Sequence, residues 1–425
     1  MNSLRLAALV LVMWSLVYST FLLSLSRRVR RHDVPAPPDL LYVFVVPCLN
    51  EDKVIGRTVE SLLRLNRNDV RVLVIDDASS DETPTVLSRF AGHPDVAVLR
   101  RELPAAQLGK GHALNDAYRA LRAEDWGECA PIVCVLDADG RLVEGALDEV
   151  GPMFSDPVVG AVQIGVRIRN AADSLLARMQ DIEFLVYTDV FQTGRNLLGS
   201  TGLGGNGQFV RLAALETLGE DPWSDCLTED LELGLNLLLH GHENRYCPTA
   251  AVDQQGVVSF RKFIKQRTRW FQGHLQCWNY VPRLLRSGLR IKTKLDLVYH
   301  LVSPVVLLAA SLLIMVGWAA TLVGLVFFPE QVLHTLLDER MLVTYVFGFG
   351  LSPLVAWVYW RHEPQTSLLA GLGYAHLYVL YSSLWFIAGW RAVGRTALRR
   401  RSWAKTARID EVEEAQHAVL LGAGK

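Results

Sequence analysis

Apolar and polar positions follow three regimes along the chain. Residues 4–25 form an apolar run with Arg5 as its only charge, long enough to cross a bilayer core of about 30 Å. From about residue 40 to residue 288, short β-branched runs alternate with stretches of helical period. Strands are expected over 42–47, 70–76, 96–99 and 131–136, and helices over 52–65, 81–90 and 110–122. Alternation of this kind predicts βαβ units, a parallel sheet and a nucleotide-binding α/β layer fold. The last third turns apolar again, with candidate spans at 298–328, 341–360 and 367–393 and Tyr and Trp crowding their ends.

Charge placement orients these segments. Arg27, Arg28, Arg30 and Arg31 follow the first apolar run. A cleaved signal peptide would carry its basic residues in front and a small-residue cleavage site behind. The expectation is therefore an uncleaved anchor whose following domain is cytosolic. One span before that domain and three after it would put the C-terminus outside, yet Arg391, Arg395, Arg399, Arg400 and Arg401 argue for the inside. The polar-rich 367–393 segment is the one expected to lie flat or re-enter, packed on protein. Residues 282–296 mix Arg and Lys with Leu and Ile and read as an interfacial amphipathic helix, with a solvated helix as the alternative.

Composition sharpens this picture without redirecting it. Half of the 425 residues are hydrophobic and the net charge is −1, so nothing global points to nucleic acid. The six cysteines form no CxxC pair and are expected to be free thiols in a reducing cytosol.

Candidate chemistry gathers at predicted strand ends, where ligands of α/β sheets bind. Asp137–Ala138–Asp139 places two carboxylates one residue apart, able to hold a hard Mg2+ or Mn2+ ion against a diphosphate. Solvated loop acids are the plain alternative. Asp76–Asp77 could accept hydrogen bonds from a base or ribose. Gly109–Lys110–Gly111 opens a helix and offers a cation and close backbone approach to phosphate, although it is not a Walker loop. Thr228–Glu229–Asp230 suits either helix N-terminal acids or a general base. In Gln266–Arg267–Thr268–Arg269–Trp270, Arg can clamp phosphate and Trp can face a sugar ring.

Taken in order, these pieces resemble family 2 glycosyltransferases, the inverting GT-A class that includes cellulose, chitin, hyaluronan and poly-N-acetylglucosamine synthases. The resemblance runs from Val45 to Trp270. It includes Val46–Pro47–Cys48–Leu49–Asn50–Glu51, Asp76–Asp77–Ala78–Ser79–Ser80–Asp81 and Lys110–Gly111–His112–Ala113–Leu114–Asn115. Asp137–Ala138–Asp139, Gly204–Gly205–Asn206–Gly207–Gln208–Phe209, Thr228–Glu229–Asp230 and the QxxRW pattern at 266–270 follow, and Trp403–Ala404–Lys405–Thr406–Ala407–Arg408 is similar to a tail motif of membrane members.

The resemblance implies a GT-A domain over 40–288 between an anchor at 1–31 and membrane or interfacial helices at 289–396, with a cytosolic tail at 397–425. It assigns Asp77, with Asp76 beside it, to the uracil or ribose of a UDP-sugar, and Lys110 and Arg269 to the diphosphate. Asp139 becomes the main metal ligand with Asp137 near ribose and metal, and Asp230 the base. Gly205, Asn206, Gly207, Glu229 and Trp270 fall to the acceptor site. The cellulose branch carries a different, aromatic-cysteine sequence at the Gly205–Gly207 position. The expected product is a polysaccharide grown at the membrane, with an export partner or oligomer completing any channel. Single addition to a lipid such as diacylglycerol is the alternative, and a non-enzymatic scaffold is disfavoured by intact Asp139, Asp230 and Trp270.

Overall fold

The computed structural model describes residues 2–28, 34–337, 345–346 and 348–399. Arg30, Arg31, Arg400, Arg401, the 403–408 motif and residues 341–344 and 347 of the 341–360 candidate lie outside the described residues.

The β-branched runs form one sheet. Strand β1 (Leu40–Cys48) is buried almost throughout, as a strand covered on both faces must be. It pairs in parallel with β2 (Val70–Asp76) and β4 (Ala130–Val135), and β2 pairs with β3 (Val96–Arg100). With β5 (Arg141–Leu142), β6 (Val159–Ile168), β7 (Gln208–Arg211) and β8 (Glu243–Gln254), the sheet has eight strands in the order β3-β2-β1-β4-β7-β6-β8-β5. The all-parallel expectation needs correction. β7 runs antiparallel to both β4 and β6 because the Gly204–Gly207 turn sends the chain back along β4, with the Gly207 N–H donating to Val135 O at 3.0 Å. Its four residues carry too little pattern to announce themselves.

Register places the chemistry. Cys48 stands level with Asp76 at the carboxyl ends of β1 and β2, and Asp137 lies two residues beyond β4. One face of the sheet packs Phe44, Phe154 and Phe209, the other Tyr118, Trp223 and Leu233.

The helices that frame this edge are α1 (Asn2–Ser26), α2 (Lys110–Arg122), α3 (Leu175–Val186), α4 (Glu229–Leu239), α5 (Phe260–Gln276), α6 (Ile291–Phe327), α7 (Ser352–His362), α8 (Leu368–Ser382) and α9 (Leu384–Ala397). Among the described residues one segment, Ile291–Leu312, is long and apolar enough to cross a membrane, and Met13–Ser26 is a shorter apolar helix. At 37 residues, α6 is roughly 55 Å long. The helix expected over 282–296 is instead two, broken where Ser287 turns extended (ψ 167°) before Gly288. The 367–393 segment is likewise two helices meeting at Ser383.

The first helix is docked on the α/β domain. Leu22 is fully buried, and Tyr18 donates to Asp296 Oδ1 at 2.6 Å. Asp296 also pairs with Arg195 at 3.1 Å, both side chains being at most 3% exposed.

Candidate active site

A cleft of about 710 Å³ opens at the carboxyl edge of the sheet. Asp77, Lys110, Asp137, Gly205, Asn206, Glu229, Asp230, Arg269 and Trp270 line it, so the structure brings together nine residues from six separate stretches of sequence. Asp76, Asp139 and Gly207 stand behind its wall. Asp76 is 1% exposed; its Oδ1 accepts the Ser79 N–H at 2.9 Å and its Oδ2 meets Arg100 at 3.2 Å. Gly207 adopts φ +70°, where a Cβ would lie 2.7 Å from Ile164. Both shape the backbone rather than present a group.

The two carboxylates of the DxD divide their work. Asp139 is 2% exposed and its Oδ2 accepts the Gln255 N–H at 2.9 Å, tying the end of β8 to the end of β4. Asp137 faces the cleft and binds Lys110 Nζ at 2.7 Å. Asn206 supports it, its Oδ1 accepting the Asp137 N–H at 3.0 Å while its Nδ2 donates to Gln254 Oε1 at 2.8 Å. Among the described residues no group of three or more His, Cys, Asp or Glu is arranged to hold a metal. The hard oxygens of Asp137 and Asp139 nevertheless suit Mg2+ or Mn2+, which is commonly held by one or two carboxylates with phosphate and water supplying the rest.

Lys110 begins α2 and reaches across the cleft floor, its Nζ also donating to Gly205 O at 2.6 Å. A Cβ on Gly205 would sit 3.3 Å from both Lys110 Nζ and Asp230 Oδ2, so any side chain there would crowd both groups. Burial works against the ammonium, but Asp137, Glu229 and Asp230 outweigh it and raise its pKa. The acids respond in kind. Burial, then the charge of Asp230, pushes Glu229 up to about 7 against the pull of Lys110. Burial also raises Asp230, opposed by the Leu231 N–H that its Oδ1 accepts at 2.8 Å and by Lys110.

The raised pKa of Glu229 has a consequence for stability. Its ordinary value is 4.5, so between about pH 4.5 and 7 the unfolded chain releases this proton while the folded chain keeps it. Binding more protons when folded, the protein loses stability as pH rises through that window. Thermal unfolding of detergent-solubilised Glu229→Gln should show a shallower decline over the same range; an unchanged slope would dismiss the shift.

At the ends of β2 and β3, Asp77 is 7% exposed, ion-paired with Arg101, and accepts the Gln107 N–H at 3.0 Å. Arg101 in turn reaches Asp116 at 2.5 Å. Sequence reading missed Arg101, although its place at the end of β3, next to the end of β2, was a usable signal.

The opposite wall is α5. Gly273 lets it press on the Thr228–Asp230 segment, since a Cβ there would lie 2.6 Å from Thr228 N. The Nε of Arg269 is buried without a hydrogen-bond partner among the described residues. Trp270 stands edge-on to Phe184 at 6.3 Å and tilted against Trp385 at 6.4 Å between ring centroids. Behind it the Arg267 guanidinium lies 4.1 Å from the Trp270 ring centroid and pairs with Glu183 at 2.6 Å. Glu183 also accepts from Tyr381 at 2.5 Å and Trp385 at 2.8 Å. Beyond Trp270 the cleft continues as an apolar arm lined by Phe271, Pro304, Leu307 and Phe386, with His274 and His300 among them. None of Glu183, Phe184, Trp385, His274 or His300 was a sequence candidate. All six cysteines are free, as expected.

A mixed α/β sheet with its charged cleft at the carboxyl edge, walled by the DxD, TED and QxxRW segments, defines a GT-A-like glycosyltransferase fold. Residues 37–273 match the family described as glycosyltransferase like family 2, and the chain belongs to it. It is 33% identical over 293 residues to a β-monoglucosyldiacylglycerol synthase of Synechocystis sp. (strain ATCC 27184 / PCC 6803 / Kazusa), covering 67% of this chain and 58% of that protein. It is 28% identical over 238 residues to a poly-β-1,6-N-acetyl-D-glucosamine synthase of Staphylococcus epidermidis, covering 54% and 53%. The chain thus spans a little over half the length of these curated relatives. Among solved structures, the mannosyltransferase PcManGT from Pyrobaculum calidifontis in complex with GDP-Man and Mn2+ shares the fold, with a TM-score of 0.58 and 21% identity over 90% of this chain and 98% of that one.

Proposed function

We propose that this chain is an inverting glycosyltransferase that moves a hexose from a nucleotide-sugar, in our reading a UDP-sugar, to a lipid hydroxyl such as that of diacylglycerol. In this reading it is an integral membrane protein, anchored through α1 and α6, whose catalytic domain faces the cytosol. The observation that carries the proposal is the two-ended cleft: a charged pole at Lys110, Asp137 and Asp230 runs into an apolar arm between α5, α6 and α9. A lipid acceptor needs its hydroxyl at the pole and its chains in such an arm. The name of the glucosyldiacylglycerol synthase relative agrees with a lipid acceptor. The polymer product expected from sequence becomes the second reading, favoured by the QxxRW segment and the poly-N-acetylglucosamine synthase relative.

Asp230 takes the proton of the acceptor hydroxyl as that oxygen attacks the anomeric carbon. The bond from that carbon to the diphosphate breaks, and the nucleoside diphosphate leaves. Lys110 and Arg269 hold its oxygens, Asp77 and Arg101 orient the nucleoside end, and Trp270 with Phe184 forms the wall against which the acceptor rests. Asp137, with Asp139 behind it, would hold a Mg2+ or Mn2+ ion, which would supply counter-charge to the departing diphosphate.

The protein in nanodiscs, incubated with radiolabelled nucleotide sugars with and without diacylglycerol, tests the assignment. A lipid-extractable product of one sugar supports it, and a long water-soluble glycan installs the second reading. Chelation by EDTA should abolish transfer, and added Mg2+ or Mn2+ should restore it. Asp137→Asn and Asp139→Ala should each weaken Mn2+ binding in the presence of the nucleoside diphosphate, read by electron paramagnetic resonance. Full transfer in EDTA removes the ion from the mechanism.

A further inference from the structure

Away from the cleft, a second cavity of about 1400 Å³ lies where the C-terminal ends of α1 and α7 approach the loop preceding α6. Arg27 and Arg28 line it from the first helix and Arg361 from α7. The Arg27 guanidinium lies 3.8 Å from the ring centroid of Trp357, and that of Arg361 lies 5.1 Å from the same ring. Among the described residues no carboxylate pairs with Arg27, Arg28 or Arg361. Acids along the cavity wall have other partners: Asp148 pairs with Arg67 at 2.6 Å outside the cavity, while Glu243 with Arg245 at 3.0 Å and Asp189 with His362 at 3.8 Å pair along the wall itself.

A basic residue at a helix C-terminus is favoured by the helix dipole, which accounts for one arginine at each helix end. It does not account for two guanidiniums brought against one indole. Like charges gathered this way repel weakly in water, and an anion between them turns that repulsion into attraction. Stacking on the ring occupies the flat face of a guanidinium and leaves its N–H edge free to fork onto phosphate oxygens. Position selects the source of that phosphate. Arg27 directly follows an apolar helix, and Trp357 supplies the amphipathic ring typical of the headgroup layer.

We propose that Arg27 and Arg361, gathered on Trp357, together with Arg28 on the same cavity wall, form a binding site for the phosphate headgroup of an anionic phospholipid, distinct from the acceptor site. This rests on the reading that α1 lies in the bilayer. The site fixes the end of α1 against α7 and so draws the protein to anionic regions of the membrane.

The test uses the full chain reconstituted with phosphatidylcholine alone or mixed with phosphatidylglycerol. Lipid retained after detergent washing is counted by native mass spectrometry. The parent should retain phosphatidylglycerol in preference to phosphatidylcholine, and Arg27→Gln/Arg361→Gln should reduce that retention on the order of tenfold. The milder Arg28→Gln should reduce it less. Transfer in pure phosphatidylcholine should be the same in parent and variants, which also reports that they fold. Equal retention of the two lipids by the parent, or undiminished phosphatidylglycerol in the double variant, overturns the site. Displacement of the lipid by equimolar inorganic phosphate would make it a free-phosphate site and overturn the headgroup assignment. Failure of the parent to enter phosphatidylcholine bilayers at all would instead sink the membrane reading beneath it.

Discussion

Asp230→Asn should bind the nucleoside diphosphate as the parent does and turn over more slowly by a factor on the order of 10² or more. The substitution preserves shape, so the Leu231 N–H at 2.8 Å keeps an oxygen acceptor, while the basicity needed to take the acceptor proton is gone. Lys110, which holds Asp137 and Gly205 O, remains to bind phosphate. Glu229→Gln is the informative neighbour. Glu229 is pushed up to about 7, so near neutrality a good part of it is already protonated, and the amide should cost less than the Asp230 change. Calorimetry reports binding, and single-turnover sugar transfer reports rate. Near-normal transfer by Asp230→Asn with loss in Glu229→Gln would move the base by one residue. Activity in both would remove acid–base chemistry from this loop.

Breaking the ion pair behind Trp270 should have the largest effect on stability. Arg267 is fully buried, and Glu183 is 16% exposed. Arg267→Met strands the carboxylate, and loss of one partner from a buried pair typically costs about 3–5 kcal/mol. Denaturant unfolding of the purified protein should show a loss of about that size. The acceptor KM should rise as well, because the guanidinium 4.1 Å from the Trp270 ring centroid helps hold that ring in place. Combining Arg267→Met with Glu183→Gln should recover part of the stability, since no unpaired charge then remains. Single variants within about 0.5 kcal/mol of the parent, the usual range for an inconsequential surface change, would show that the pair is not a clamp.

What sequence could disclose follows the range of its signals. Strand ends are local, so the positions of Asp77 and Asp137 at the carboxyl edge were readable from the β-branched runs before them. The start of α2 at Lys110 was equally plain. Depth was not readable: Asp137 and Asp139 are two residues apart, yet one faces the cleft and the other fastens Gln255. That difference depends on where β8 ends, more than a hundred residues later. Partners from distant segments were invisible for the same reason. Glu183 meets Trp385 across 202 positions, and no periodicity in either stretch announces the contact. The antiparallel β7 escaped because four residues hold too little pattern. The break at Ser287–Gly288 was missed because the amphipathic pattern continues across it.

The ion pair between Arg195 and Asp296, with Tyr18 bonded to the same carboxylate, also bears on biosynthesis. Tyr18 and Asp296 are separated by 278 positions, and at ordinary rates of translation such a separation takes on the order of tens of seconds. Until Asp296 emerges, Tyr18 lacks this acceptor, and from the synthesis of Arg195 onward the α/β domain carries a guanidinium destined for burial without this counter-charge. Arrival of Asp296 at the head of the long helix resolves both at once. A chain stalled before that codon could still pack Leu22 against Gly194, but it would lack the carboxylate that pairs with Arg195 and accepts from Tyr18.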